Sequence, residues 1–450
     1  MTIEPPVSLW PGPEALGPVT DLYQLIMMAG YTASGMDRAR ATFELFVRRL
    51  PPGRSFLVFA GLEQAVGDLI RLAFSREQAE AIRRLPAFDR VAPGFFDALP
   101  DLRFEGDLWA IPEGTIVFAG EPLLRIEATL PQAQWVETIL LASIGYPTLV
   151  ASKAARVVEA AAGRPVYDFG ARRGHGPQAG LLAARAAYLA GCAGTSHVEA
   201  ARRLGIPCVG TMAHSWVQSF PSEAEAFAAY ARAFPGATTL LVDTYDVERG
   251  VREAARIKPA VQAVRIDSGD LAELGRRTRS ILDSLDRAAT KILGSGDLDE
   301  HSIGALVAAG APFDAFGVGT ELITSRDAPA LSMVYKLVEL DGAGRVKLSP
   351  GKKTYPMAKQ VFRHYDDCGQ FAYDCVTAAD ESALGVPLLK PIIRQGIILE
   401  PLPGLNEIRS HSRDQVLKLP SQFLARQDAA SYPIVYSDLL EAEAARLGVR

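Results

Sequence analysis

Cysteine is scarce in this chain. Cys192, Cys208, Cys368 and Cys375 are the 4 in 450 residues, and no two of them form a CxxC pair. That argues against a disulfide-stapled scaffold and for a reduced, cytoplasmic setting. Excess positive charge is missing as well. The chain has 47 Lys and Arg against 52 Asp and Glu, a net charge of -5, which gives no bulk attraction to nucleic acid or acidic membranes. Residues 1–20 lack a basic start followed by an apolar core, so no secretory signal is expected. No apolar run is expected to reach transmembrane length. Histidine is sparse too, 6 in all, and none has a second His at zinc-ligand spacing. Gly351-Lys352-Lys353-Thr354 is not a P-loop, because Val346 stands where its first glycine belongs.

What is present is a long, core-rich chain. Its length predicts two or more domains, and its 48% hydrophobic content predicts a large core. The organising pattern is a short apolar run that ends in a polar or glycine-rich loop. It recurs at Val166-Tyr167-Asp168, Val209-Gly210-Thr211-Met212-Ala213-His214, Leu240-Leu241-Val242-Asp243, Val264-Arg265-Ile266-Asp267, Ile292-Leu293-Gly294 and Phe313-Asp314-Ala315-Phe316-Gly317. Most of these runs are separated by Ala-rich segments of helix length. Successive β-α units of this kind predict a barrel over about 163–331, with its chemistry at the carboxyl ends of the strands. His214 is expected at the end of a buried strand, with Thr211 and Ser215 beside it to orient the ring.

Before the barrel, Thr20 or Asp21 caps a predicted helix over 22–31. Residues 41–49 alternate as a half-buried strand does. Arg48, Arg49 and Arg54 surround Pro51-Pro52-Gly53 and could grip phosphate, although a solvated turn is the default reading. Short strands are predicted over 109–117 and 122–126. A long apolar helix follows over 132–158, broken near Gly145-Tyr146-Pro147. After the barrel come a strand over 334–338 and a loop and strand over 347–363 with five basic residues. Further strands are expected at 371–376 and 392–398, then a final helix over 413–425. These C-terminal strands are expected to complete the β-rich unit begun at the N-terminus.

Several stretches carry chemistry. In Asp168-Phe169-Gly170-Ala171-Arg172-Arg173, paired arginines among glycines can fork onto a carboxylate or phosphate, or form a basic surface turn. Arg265-Ile266-Asp267-Ser268-Gly269-Asp270 sets a carboxylate at a strand end, suited to phosphate-bound Mg²⁺ or a ribose diol. Asp270 is the expected cap of the next helix. Gly294-Ser295-Gly296-Asp297 and Phe316-Gly317-Val318-Gly319-Thr320 are two strand-to-helix turns whose N–H groups can hold phosphate. Neither is a full GxGxxG, but such a pair at one end of a barrel is a common phosphate arrangement.

With Thr20-Asp21-Leu22-Tyr23-Gln24, Gly210-Thr211-Met212-Ala213-His214-Ser215 and the basic stretch 347–363, these motifs appear in the order found in the nicotinate phosphoribosyltransferases. The chain resembles that family over nearly its whole length. The resemblance implies a type II phosphoribosyltransferase fold, an irregular α/β, TIM-like barrel over 146–333. Beside it would lie an α/β sandwich built from 1–145 and 334–450. It implies a homodimer with shared active sites that joins nicotinate to phosphoribosyl pyrophosphate with Mg²⁺. ATP hydrolysis would be coupled through a phosphohistidine, and His214 matches that position. Phe169 and the partner's Tyr23 would sandwich the pyridine ring, and Arg172 would meet the nicotinate carboxylate. Asp267 and Asp297 would hold ribose hydroxyls or Mg²⁺, while Gly296, Gly317, Gly319 and Thr320 would cradle the 5′-phosphate. Thr211, Ser215 and Arg265 fall in the same motifs and join the substrate-binding set. Arg48, Arg49, Lys352, Lys353 and Lys359 of the partner subunit would handle pyrophosphate or ATP phosphates.

The chain departs from the family pattern at His175-Gly176, where Ala-Gln is more usual, and at Ser215, where some relatives carry Glu. The paired acids and Thr-Gly-Thr turn of type I phosphoribosyltransferases are missing; Val242-Asp243-Thr244-Tyr245 only grazes them. The alternatives are a nicotinamide or quinolinate phosphoribosyltransferase, or a barrel that binds a phosphorylated metabolite without chemistry. An amide would favour an acidic residue near Thr195, and none lies closer than Glu199. A second carboxylate would call for more cations around the pyridine ring.

Overall fold

The apolar runs do become strands of one parallel sheet. In the computed structural model, which describes residues 12, 16–349, 354–425 and 429–449, this sheet has six strands. Their order is Gly194–Thr195, Val166–Asp168, Ala315–Val318, Lys291–Gly294, Ala263–Ile266 and Thr239–Leu241. Every pairing is parallel. Leu240, Val264, Ile266 and Ile292 are fully buried, as expected for a parallel sheet covered on both faces. The fold is mixed α/β with a parallel half-barrel sheet.

The stretch expected to be its central strand is not one. Only Cys208 pairs, through a single bridge to Thr195. Residues 209–213 have no regular structure, and His214 opens a short helix, His214–Gln218. Met212 and Val217 are buried there while Gly210 and Ala213 are exposed. That pattern offers neither the alternation nor the continuous burial that holds a strand in register.

The two ends of the chain share a second, antiparallel sheet. Its order is Ala343–Gly344, Met333–Leu340, Arg40–Val47, Pro122–Thr129, Asp107–Ala110, Lys390–Arg394 and Ile397–Ile398. The N-terminal Arg40–Val47 pairs with the late strand Met333–Leu340, with Glu44 opposite Lys336. A four-stranded sheet of Val386–Pro387, Lys359–Tyr365, Phe371–Ala378 and Ile434–Tyr436 adds to this part. Strands from the C-terminal part thus pair into the same sheet as those from the N-terminal part. Helix Leu22–Ala33 begins at Asp21, whose backbone N–H donates to the Gln24 side chain at 3.1 Å.

The long apolar segment runs differently from the expectation. It divides at Val136 into Leu130–Trp135 and Glu137–Ala160, and Pro147 lies inside the second helix. Proline removes one helical hydrogen bond and crowds the carbonyl four residues earlier. Here that carbonyl, of Ser143, packs on Gly61, where a Cβ would stand 2.1 Å away. The helix continues because a glycine backbone makes room.

Residues 130–160 are also long and apolar enough, by length and composition, to cross a membrane, contrary to the expectation. Most of the segment is buried inside the fold. Ile139, Leu140 and Ile144 join one core, and Val150, Ala154 and Val157 the other. The last helices also differ. They are Leu405–Leu417 and Asp438–Arg446. Pro420 discourages a helix across it, and the predicted 413–425 helix stops short of it.

Candidate active site

Arg265 is the centre of the site. Its strand, Ala263–Ile266, presents the guanidinium among three neighbours. Nε donates to Ser295 Oγ at 2.7 Å, Nη1 to Thr211 Oγ1 at 3.2 Å and Nη2 to Asp267 Oδ1 at 2.5 Å. Its Cζ lies 5.6 Å from the centre of the Phe169 ring. Ser295 Oγ also donates to Asp267 Oδ1 at 2.5 Å. Burial would raise the Asp267 carboxyl, but the Ser295 hydrogen bond and the Arg265 charge outweigh it. The group sits below its ordinary value, so it is a carboxylate at neutral pH. Its other oxygen is 4.0 Å from His214 Nε2.

Asp243 and Thr244, after strand Thr239–Leu241, hold both members of that pair. Asp243 Oδ2 accepts from the Asp267 N–H at 2.9 Å and from Ser268 Oγ at 2.7 Å. Thr244 Oγ1 lies 3.1 Å from His214 Nδ1. Thr244 therefore orients the imidazole, a role expected of Thr211 and Ser215. Thr211 instead bonds Arg265 and the Met212 carbonyl. Ser215 is exposed, and its carbonyl accepts from Ser219. The sequence signal for Thr244 was only its place at a strand end, like that of His214.

Phe169 follows strand Val166–Asp168, and its ring is buried against Gly317. A Cβ on Gly317 would stand 2.4 Å from ring atoms. Asp168 anchors this loop. It is almost wholly buried and accepts from the Gly170 N–H at 2.8 Å and Thr195 Oγ1 at 2.7 Å. Burial pushes its carboxyl up, with those hydrogen bonds opposing. Arg172 stands exposed on the next turn, its Nη1 3.4 Å from the Phe169 carbonyl. Gly296 has φ +94, and a Cβ there would be 1.9 Å from the Asp267 carbonyl oxygen. Asp297, next to it, is exposed at φ +46. Gly319 precedes the one-turn helix Thr320–Ile323. The structure thus brings His214, Asp267, Arg265, Thr211, Phe169 and both glycine turns to the carboxyl ends of the parallel strands.

The other expected cations divide. Arg48 is half-buried, and its Nε has no partner among the described residues. Arg49 is exposed, beside a cleft lined by Pro51, Asp327 and Ser332. Arg54 is buried in an ion pair with Asp327 and is no phosphate grip. Lys359 also departs from expectation. Its Nζ is buried 2.8 Å from Glu44 and donates to the carbonyls of Tyr355, Pro356 and Met357. An ammonium with its donors so occupied is not available to a phosphate. Arg363, in the same basic stretch, is buried against Asp374 at 2.6 Å. Lys352 and Lys353 lie outside the described residues. Tyr23 is exposed on its helix, and its companions in its own chain are Gln24 and Glu137.

No cluster of three or more His, Cys, Asp or Glu among the described residues could hold a metal. An all-protein cage is therefore not what this site offers. Magnesium bound through one or two carboxylates and a ligand's phosphates needs no such cage. Asp297 is exposed at a phosphate-type turn, and the neighbouring Gly296 packs on the Asp267 backbone, an arrangement compatible with that use.

Glu223 lies close enough to Asp243 for their charges to interact. It is 5% exposed, and neither carboxylate oxygen has a hydrogen-bond partner among the described residues. Burial pushes it up to about 7; Arg249 opposes this, while Glu253, Asp246 and Asp243 add to it. The folded chain then keeps a proton that the unfolded chain, with a glutamate pKa of about 4.3, releases. The stability this proton confers is present at low pH and is lost as pH rises from about 4 towards 7. Glu223→Gln should therefore gain about 3–4 kcal/mol over the parent at pH 8 and almost nothing at pH 4. Denaturant unfolding at the two pH values checks this; equal gains at both would assign the effect to packing instead.

A charged pair and two glycine turns gathered at the carboxyl ends of parallel strands make the arrangement of an α/β enzyme. The chain belongs to the nicotinate phosphoribosyltransferase family. Residues 19–145 match its N-terminal domain, 165–362 the family's main region and 382–442 its C-terminal domain. The nicotinate phosphoribosyltransferase pncB2 of Mycobacterium tuberculosis is 47% identical over 436 residues, covering 95% of this chain and 93% of that protein. The crystal structure of human nicotinic acid phosphoribosyltransferase superposes with a TM-score of 0.85 at 29% identity, covering 95% of this chain and 99% of the human one. That of a nicotinate-nucleotide pyrophosphorylase from Pyrococcus furiosus gives a TM-score of 0.73 at 28% identity, covering 89% and 95%.

Proposed function

We propose that this chain joins nicotinate to phosphoribosyl pyrophosphate, forming nicotinate mononucleotide and pyrophosphate for NAD biosynthesis. ATP hydrolysis is coupled to it through phosphorylation of His214. The observation that carries the reading is the Arg265 guanidinium beside the Phe169 ring, in one bonded cluster with Asp267 and next to His214. An aromatic face and a cation suit a flat ring bearing a carboxylate. Arg172, on the same loop as Phe169, is the second cation for that carboxylate.

In the transfer, the pyridine nitrogen bonds to the ribose C1 as pyrophosphate leaves with its electron pair. The sugar passes through a cationic, oxocarbenium-like state. The site must stabilise the leaving diphosphate and keep water off. Asp267 and Asp297 hold the ribose hydroxyls, or Mg²⁺ when it is bound with the diphosphate; the ion would neutralise leaving charge. Gly296, Gly317, Gly319 and Thr320 receive the 5′-phosphate. Thr244 holds His214 Nδ1, and Asp267 keeps a negative charge near Nε2, so the ring is fixed to accept and release a phosphoryl group.

In this reading the half-barrel sheet is part of an irregular, TIM-like barrel over 146–333. An α/β sandwich of 1–145 and 334–450 lies beside it. Two cytoplasmic chains form a homodimer with shared sites.

His214→Ala tests the ATP arm. Product-coupled ATP hydrolysis should fall to background, while some ATP-independent transfer persists. Retention of ATP turnover in step with mononucleotide formation would remove His214 from that role.

A further inference from the structure

Five charges form a chain in this fold, four of them buried and the fifth, Asp327, a third exposed. Lys153, on helix Glu137–Ala160, is 1% exposed. Its Nζ lies 2.5 Å from Glu300 Oε2 and 3.0 Å from Asp327 Oδ1. Arg156, one turn further along that helix, pairs with Glu300 Oε1 at 2.9 Å and donates to the Gly53 carbonyl. Arg54 closes the other end, on Asp327 at 3.0 Å and Ser325 Oγ at 2.6 Å. Buried ion pairs are a poor way to gain stability, because well-packed apolar groups of similar size do as well. Their position is more telling. Glu300 begins helix Glu300–Ala308 and follows Asp297, in the first glycine turn, by three residues. Asp327 comes just after helix Thr320–Ile323, which leaves the second glycine turn. Lys153 holds one carboxylate behind each turn. Tyr146, two helical turns earlier, ties the same helix to the second turn, its hydroxyl donating to the Ile323 carbonyl at 2.9 Å.

We propose that Lys153 is a positioning residue that fixes the spacing of the two glycine turns and so their joint grip on the substrate's 5′-phosphate. The inference rests on the reading of those turns as the phosphate site. Backbone N–H donors on two separate turns can share one phosphate only at one separation, and displacements near 1 Å at such sites cost up to about a hundredfold.

Two variants separate positioning from bulk charge. Lys153→Met leaves two cations against two carboxylates. Asp327→Asn leaves three cations against one carboxylate, weakens the hold of both Lys153 and Arg54 on the segment after the second turn while sparing the Lys153 bond to Glu300, and alters a side chain already a third exposed. An electrostatic effect on phosphate would change sign between them; a positioning effect weakens binding in both. The probe is ribose 5-phosphate as a competitive inhibitor, with KM measured separately for phosphoribosyl pyrophosphate and nicotinate and folding checked by thermal unfolding. Both variants should raise the ribose 5-phosphate inhibition constant and the phosphoribosyl pyrophosphate KM by about ten- to a hundredfold, with nicotinate KM changed by less than about twofold. Opposite signs, parallel rises in both KM values, or an unchanged inhibition constant in a folded Asp327→Asn would overturn the inference. Thr320→Val, in the turn itself, separates the two failures. If it too leaves ribose 5-phosphate binding intact, the turns are not the phosphate site; if it weakens binding and the network variants do not, Lys153 has no positioning role.

Discussion

Gly296→Ala should cut kcat/KM by at least about a hundredfold, though no side chain that meets a substrate has been altered. The reason is local crowding. At φ +94 an alanine pays about 1–2 kcal/mol of backbone strain. Its Cβ would also stand 1.9 Å from the Asp267 carbonyl oxygen, and relief of such an overlap costs about 1–3 kcal/mol more. The cheapest relief pushes Ser295 and Asp267 apart. That breaks the 2.5 Å bond from Ser295 to Asp267 and disturbs the Arg265 bond to Ser295. The carboxylate near His214 then loses the partners that keep it ionised and aimed. Gly319→Ala is the control. Its Cβ meets nothing closer than 3.4 Å, and although φ -113 with ψ -99 leaves an alanine some backbone strain, nothing in the Asp267 cluster is displaced, so its loss should be clearly smaller than that of Gly296→Ala. Steady-state kinetics with a check of folding decides; equal losses would mean that both glycines serve only to bare their N–H groups.

Mixing two chains that each lack ATP-coupled activity should restore it. Tyr23 stands 47% exposed on helix Leu22–Ala33, with Leu22 and Ile26 exposed beside it. Three large apolar side chains open to solvent on one helix suit a surface that another subunit covers. If the partner's Tyr23 completes the ring site, Tyr23→Ala and His214→Ala damage the same site only when they meet there. Random exchange makes about half the dimers mixed, each with one doubly damaged and one intact site, so coupled activity should approach about a quarter of the parent's. The check is ATP-coupled mononucleotide formation after verified subunit exchange. Persistent inactivity would show that each site is built within one chain.

Much of this site was legible in the sequence because strand ends announce themselves. Val264-Arg265-Ile266-Asp267 alternates buried apolar with polar residues, and both polar ones reach the site. The glycine turns were legible for the same reason. What they do was only half legible: Gly296 and Gly317 are required as much by the Asp267 carbonyl and the Phe169 ring as by any phosphate. His214 was found, but on a short helix after an irregular stretch and not at the end of a strand. Glycine and exposed residues interrupt residues 209–216, and an apolar run alone does not make a strand. Thr244 was passed over because a hydroxyl at a loop start has no pattern of its own. The phosphate role of Lys359 came from the family resemblance alone, and nothing local in the sequence shows where its side chain goes. Glu44, 315 residues away in sequence, is what draws it inside. The break in the long helix was misplaced because Pro147 is tolerated through a distant contact with Gly61, which no local pattern reveals.

The most direct test of the central claim is mononucleotide formation by the purified chain with phosphoribosyl pyrophosphate and Mg²⁺. Nicotinate, nicotinamide and quinolinate would be offered separately, each with and without ATP. The account predicts product from nicotinate, faster with ATP and accompanied by ATP hydrolysis, and little from the other two. Preference for nicotinamide or quinolinate, or ligand binding with no product from any of the three, would contradict it.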